Sequence, residues 1–241
     1  MEGITFKLKG SYGHFKKPET NDNPSTYSYM HKVAIIGLIG AVNGIGRGDM
    51  RPLYPQLCDD FLFSIKILNP IEKEPHGFTK RKVFSKFSFT EKNFDNKFLA
   101  TGRRFCEYLR EIEYDIIIAL KNKGSESEEV FNEFKENMKN GRTVYDTSFG
   151  NADCPAYSSD VREITVSDEE YNGEFETEFV FSAEHALNTT DPVDFIFEWV
   201  PVYVENGHYK QTIQTVCFQA TPVKVTGPYR KTDGGRNIWL M

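Results

Sequence analysis

Glycine occupies positions 37, 40 and 44 of an apolar run, AIIGLIGAVNGIG, that is otherwise built to be a helix. Each such glycine costs about 1 kcal/mol of helix propensity relative to alanine, so the segment is helical only if packing returns about 3 kcal/mol. With Ala41 the glycines make a stripe almost free of side chains at helical spacing, along which another backbone, a sheet or a bound polymer can come close. His14, Lys16, Lys17, Tyr27, Tyr29, His31, Lys32 and Arg47 gather around the two ends of this segment, a set suited to phosphates and bases.

The surrounding pattern is mixed. Ile4, Phe6 and Leu8 alternate with Thr5, Lys7 and Lys9 as in a half-buried strand with a basic outer face, and Gly10 and Gly13 bracket a turn after it. Ser28 is the expected N-cap of the glycine helix, and Gly44-Ile45-Gly46-Arg47-Gly48 its exit. A second strand is expected over Asp60–Leu68, ended by Asn69-Pro70. A basic segment with aromatic residues between its lysines follows, too charged for a core, and reads as an extended hairpin over about 70–104. Glu113–Leu120 is the strongest central strand, Ser127–Met138 an acidic helix, and Thr143–Phe149 a short fourth strand. That order, β-α-β, inserted hairpin, β-α-β, is an α+β class, the split pattern of a ferredoxin-like or RNA-recognition-type (RRM-like) βαββαβ domain. It predicts a first domain over 1–155 and a small C-terminal β lobe over 156–241, with strands in 175–183, 194–204 and 208–218 and a hairpin turn at Asn206-Gly207.

A chain of 241 residues with 39% hydrophobic content buries a full core. Its net charge of -6 argues against a nucleic-acid partner, since such binding is mainly neutralisation of phosphate by Lys and Arg. The average conceals a polarity. Between Lys66 and Arg104 about ten bases face four acids, whereas acids dominate from Phe105 to Trp199. Such asymmetry fits one surface for an anion and another for protein. Cys58, Cys106, Cys154 and Cys217 stand singly, without metal-type spacing, and read as reduced thiols; neither metal nor cofactor is expected. The N-terminal MEGITFKLKG has no signal-peptide core and the apolar run Ala34–Val42 is too short to span a bilayer, so a cytoplasmic protein is expected. Asn188-Thr189-Thr190 is then no glycosylation site.

Among motifs, Gly44, Gly46 and Gly48 close a helix rather than open one after a strand, which excludes a dinucleotide fingerprint. The candidate RNA contacts are Tyr12, Gly13, His14, Phe15, Lys16 and Lys17 after the first strand; Ser28, Tyr29, His31 and Lys32 at the helix start; Arg47 at its exit; and Lys80, Arg81, Lys82 and Lys86 on the hairpin. Each has a plainer reading as a solvated loop, a helix start or a hairpin with one buried aromatic face. Tyr29, His31 and Lys32 also admit a metal-independent ribonuclease, with a general base and a cation activating a 2′-hydroxyl. His76, His185 and His208 stand alone.

FKLKGSYGHFKKP, then STYSY, then AIIGLIGAVNGIG, with a weaker echo in Asp146–Ala152, resembles the amino-terminal signature of the CRISPR-associated Cas5 family within the RAMP superfamily. The resemblance implies a ferredoxin-like domain with a β-hairpin thumb that caps the 5′ handle of crRNA in a type I Cascade complex. Its implied partners are the backbone RAMP subunit, the large subunit and target DNA near the PAM. Gly10–Lys17 would be the loop after the first strand, Ser28, Tyr29 and Lys32 the start of the handle-facing helix, and Lys80–Lys86 the thumb. Many members carry prolines where this chain has Met30-His31. One branch cuts precursor crRNA with Tyr, Lys and His residues. That full set has no match here, and the chain looks more like the non-cutting type I-B sort.

Overall fold

The computed structural model describes residues 1–20, 22–82, 100–122, 126–189 and 192–241. The chain runs β1 (Glu2–Gly13), α1 (Lys32–Asn43), α2 (Arg47–Asp60), β2 (Phe61–Ile67), β3 (Glu72–Lys82), β4 (Ala100–Leu120), α3 (Glu126–Lys139) and β5 (Tyr157–Thr165). A second set of strands follows: β6 (Tyr171–Thr177), β7 (Phe181–Ser182), β8 (Ala186–Leu187), β9 (Ile196–Glu205), β10 (His208–Cys217), β11 (Val223–Lys231) and β12 (Asn237–Ile238). The fold is α+β, with three helices among the described residues and antiparallel pairing throughout their sheets.

The first sheet has the order β2-β4-β1-β5, with β3 on the far half of β4. Ile116, Ile117, Ile118, Ala119 and Leu120 of β4 are buried on both faces, as the apolar run required of a central strand. The inner face, with Ile4, Phe6, Leu8, Phe61, Phe63 and Ile65, packs on α1 and α3, whose Phe131 and Phe134 fill the space above it. Glu72–Lys82 and Ala100–Arg110 pair as the expected hairpin. Lys80, Arg81 and Lys82 lie on its backbone opposite Gly102, Thr101 and Ala100, while Lys86 falls outside the described residues.

Four local expectations change. β1 continues through Gly13, so Gly10 and Gly13 sit in a strand rather than around a turn; there they admit Phe149, which a Cβ at either would strike. Ser28 does not cap α1. His31 does, in extended conformation (ψ 167°), and residues 28–30 lead into the helix as buried chain. After the Gly44 exit (φ 76°) the chain forms a second helix, α2, despite Pro52 and Pro55, because Met50, Leu57 and Cys58 bury against the core. Thr143–Phe149 is not a strand: Val144 and Tyr145 donate their N–H groups to Val42 and Ala41 carbonyls at 3.1 and 3.0 Å. Both carbonyls belong to the last turn of α1, where a helix lacks its own donors; that of Ala41 also accepts the Gly44 N–H at 3.4 Å. The fourth strand of the sheet is β5, paired to β1, so the first sheet extends past residue 155.

Beyond β5 the strands form two small sheets, β7-β10-β9 and β12-β11-β6, with β8 on β11. The β9–β10 turn takes Asn206 and Gly207 at φ 52° and 79°, the doubly positive geometry that Asn-Gly favours. Val200 and Val204 of β9 join the main core, so the hairpin lies against α1 and α2. Among the described residues no helix is long and apolar enough to cross a membrane.

Candidate nucleic-acid interface

Along α1 the residues split by face. Ile35, Ile36, Leu38, Ile39 and Val42 are fully or almost fully buried, while Ala34, Gly37, Ala41 and Gly44 keep partial exposure. The side-chain-poor stripe therefore faces outward, with one exception: Gly40 is inside, where Met50 of α2 lies against it. Three of the outward positions, Ala34, Gly37 and Ala41, floor an open cleft of about 650 Å³. One wall is His14–Lys16 with Ser148, Gly150 and Asn151, and the other is Arg47, Tyr54 and Tyr209. A second cleft of about 600 Å³, reached past Arg47, Tyr54 and Tyr209, adds Arg51.

The cleft's electrostatics run against those of the chain. Every charged side chain among the described residues lining either cleft is basic, Lys16, Arg47 and Arg51, in a protein of net charge -6. The Tyr54 hydroxyl would lie 3.1 Å from a Cβ on Gly37, so it hangs over the floor, and burial pushes its pKa up to about 12, which keeps it a donor. Gly150, at φ 80°, passes so close to the His14 carbonyl that no side chain fits there. Its backbone therefore shapes the first wall together with the His14 N–H, which donates to the Phe149 carbonyl at 2.9 Å.

Of the residues singled out by sequence, the fold brings His14, Phe15, Lys16, His31 and Arg47 to this cleft and disperses the rest. His14 is largely buried, its Nδ1–H donating to the Glu107 carbonyl at 2.7 Å and its ring tilted on Tyr108. Phe15 is core-packed on Phe149 and His31. Lys17 forms a 2.6 Å ion pair with the buried carboxylate of Glu198 and lies over the Tyr27 ring. The same carboxylate accepts the Ser28 N–H at 2.6 Å, so Ser28 and Lys17 are tied inward. Tyr29 is inaccessible, its hydroxyl sharing a 2.9 Å hydrogen bond with Thr215. Lys32 packs over Phe63, and burial lowers its pKa to about 8. Gly13 is filled over by Ile112 and Phe149. Tyr12 belongs to a separate aromatic group at the hairpin base, edge-on to His76 at 5.1 Å and to Tyr108 at 6.3 Å.

His31 is the least expected member. Its Nδ1 faces the Ala34 N–H at 3.4 Å as the helix cap, and its ring meets the edges of Tyr27, Phe15 and Tyr209 at 4.9, 6.2 and 6.0 Å. Burial lowers its pKa to about 3, so the ring is neutral at physiological pH. The supposed nuclease trio does not converge: Tyr29 is sealed on Thr215, Lys32 lies over Phe63, and His31 alone reaches the cleft. Tyr54, Arg51 and Tyr209 join the cleft without a local sequence motif to mark them. Arg47 and Arg51 are one helical turn apart, a signal hidden by the two prolines that masked α2. Among the described residues no group of His, Cys, Asp or Glu could hold a metal ion.

The family model described as CRISPR-associated protein (Cas_Cas5) matches residues 3–225. No curated protein matches the sequence. In fold, the chain is similar to a CRISPR protein from Archaeoglobus fulgidus, with a TM-score of 0.59 at 14% identity over 99% of this chain and 98% of that one. It is also similar to a chain of a CRISPR RNA-guided surveillance complex, with a TM-score of 0.52 at 13% identity over 91% of each. At such identities the structural likeness speaks for the fold alone, whereas the family match spans nearly the whole sequence: the chain belongs to the CRISPR-associated Cas5 family.

Proposed function

We propose that this chain is a crRNA-binding subunit of a type I Cascade surveillance complex, of the I-B sort, which caps the 5′ handle and performs no cleavage. It works in the cytoplasm, held between the backbone RAMP subunit and the large subunit, close to where target DNA presents the PAM. The observation that carries this reading is the cleft on α1: a floor of Ala34, Gly37 and Ala41 with only basic charge on its described walls, in an acidic chain. A floor with nothing larger than methyl groups at these three positions lets a polymer backbone approach, and Lys16, Arg47 and Arg51 neutralise its phosphates. Family membership supports the CRISPR setting, and one neighbour in fold is a chain of a CRISPR RNA-guided surveillance complex. The strand order β2-β4-β1-β5, with helices between β1 and β2 and between β4 and β5, supports a ferredoxin-like βαββαβ body. On this reading β5 closes that body, the β3–β4 hairpin is its thumb, and the strands from β6 onward are the small lobe.

The test is a salt titration of binding to a labelled RNA that begins with the repeat-derived handle, run in EDTA. Lys16→Ala and Arg47→Ala should each reduce the log-log salt slope by about 0.7, the value for one phosphate contact on a single strand. Replacing Lys80, Arg81 and Lys82 together by alanine asks the same of the thumb. Unchanged slopes for both cleft variants would remove the cleft from the RNA path. Discrete cleavage of the repeat would replace this reading by the endoribonuclease one, which the dispersal of Tyr29, His31 and Lys32 disfavours.

A further inference from the structure

His31 presents a donor that the protein itself does not use. The ring is nine-tenths buried or more, yet it lines the cleft floored by Ala34 and Gly37. With Nδ1 facing the Ala34 N–H, the single ring proton sits on Nε2. Among the described residues Nε2–H has no acceptor, and it is not one of the enclosed polar atoms left without a partner, so it opens on the cleft. Tyr27, Phe15 and Tyr209 meet the ring edge-on from three sides and fix its direction.

Building on the RNA-binding reading above, we propose that His31 reads one base of the bound strand, its Nε2–H donating to a carbonyl oxygen or ring nitrogen on the base edge while Lys16 and Arg47 hold the flanking phosphates. Three features favour a base over a phosphate at this donor. The imidazole is neutral, as its burial requires, and so gives an anion no charge that the cations of the cleft do not give better. Its surroundings are aromatic, which suits a flat apolar ring and disfavours a doubly solvated oxyanion. Ala34 beside it carries only a methyl group and Gly37 none, so a plane has room to lie against the helix on that side, with the Tyr54 hydroxyl at its edge over Gly37. A donor with a fixed direction and no internal partner is costly to leave unpaired once water is displaced, so a base lacking the acceptor is penalised.

The experiment is a cycle between protein and RNA, using the full chain and handle RNAs made abasic at one position at a time. Wild type should lose about tenfold in affinity at one position from loss of this contact. His31→Asn keeps a capping side chain but does not reach the cleft. It should bind intact RNA about tenfold more weakly, lose nothing further at that same position, and keep the wild-type salt slope. Additive losses at every position, or a reduced slope without base dependence, would overturn the inference and leave the RNA-binding reading standing. Failure of wild type to bind the handle would overturn both. Should His31→Asn not fold, the wild-type ring decides: its Nε2–H resonance should shift and become protected from exchange with intact RNA, and an unmoved resonance refutes the contact.

Discussion

Acidification should destabilise this protein through His31, and the size of the effect follows from the ring's burial. Folding takes the imidazole from an ordinary pKa of 6.5 to about 3, so the unfolded chain binds the extra proton and stability is lost as pH falls below 6.5. At pH 7.5 both states are neutral and the contribution is complete. At pH 5 the unfolded ring is charged and the folded ring is not. Each pH unit below 6.5 is worth about 1.4 kcal/mol, so the loss is about 2 kcal/mol. Because pH 5 lies well above the folded value, the result depends little on how far below 5 that value falls. Urea unfolding of wild type and His31→Asn at pH 7.5 and 5 isolates the effect, since the four other histidines and all carboxylates are common to both. Wild type should lose about 2 kcal/mol more than the variant on this descent. Equal losses would mean that the ring is hydrated or paired when charged, and the neutral-donor picture of the cleft would go with it.

Gly37→Ala should raise stability by up to about 1 kcal/mol through helix propensity, tempered by the Tyr54 hydroxyl 3.1 Å from the new methyl group, while weakening RNA binding; thermal melts with anisotropy titrations read the two opposite signs. Gly10→Ala places a Cβ 2.5 Å from the Pro155 carbonyl oxygen and 2.8 Å from Phe149, where backbone cannot yield, and should cost about 1–3 kcal/mol in urea unfolding. Lys17→Ala leaves the buried Glu198 carboxylate with the Ser28 N–H and a lysine at 4.0 Å, and should cost about 3 kcal/mol without altering the salt slope of RNA binding. A changed slope with unchanged stability would return Lys17 to the interface.

How much of the site was legible varies by residue, and the variation has a cause. The glycine stripe is a property of helical spacing, and the structure keeps most of it outward because the apolar residues between the glycines face the sheet. Ser28, Tyr29 and Lys32 look like surface chemistry by type, but Glu198, Thr215 and Phe63 draw them inward, and those partners lie far along the chain. β5 carries no alternation because seven of its nine residues are exposed and only Val161 and Ile164 pack inward, while Thr143–Phe149 looks extended but serves to cover the end of α1.

Local periodicity by itself determined what short-range sterics and burial control: the central strand at the end of β4, the acidic helix α3, the Asn206-Gly207 turn and a helix with a bare face. Tertiary packing alone decided which polar groups remain free to meet a ligand. A cation or a ring takes part in recognition only if no nearer partner claims it, and that competition is settled by contacts between residues more than a hundred positions apart, such as Lys17 with Glu198 and His31 with Tyr209.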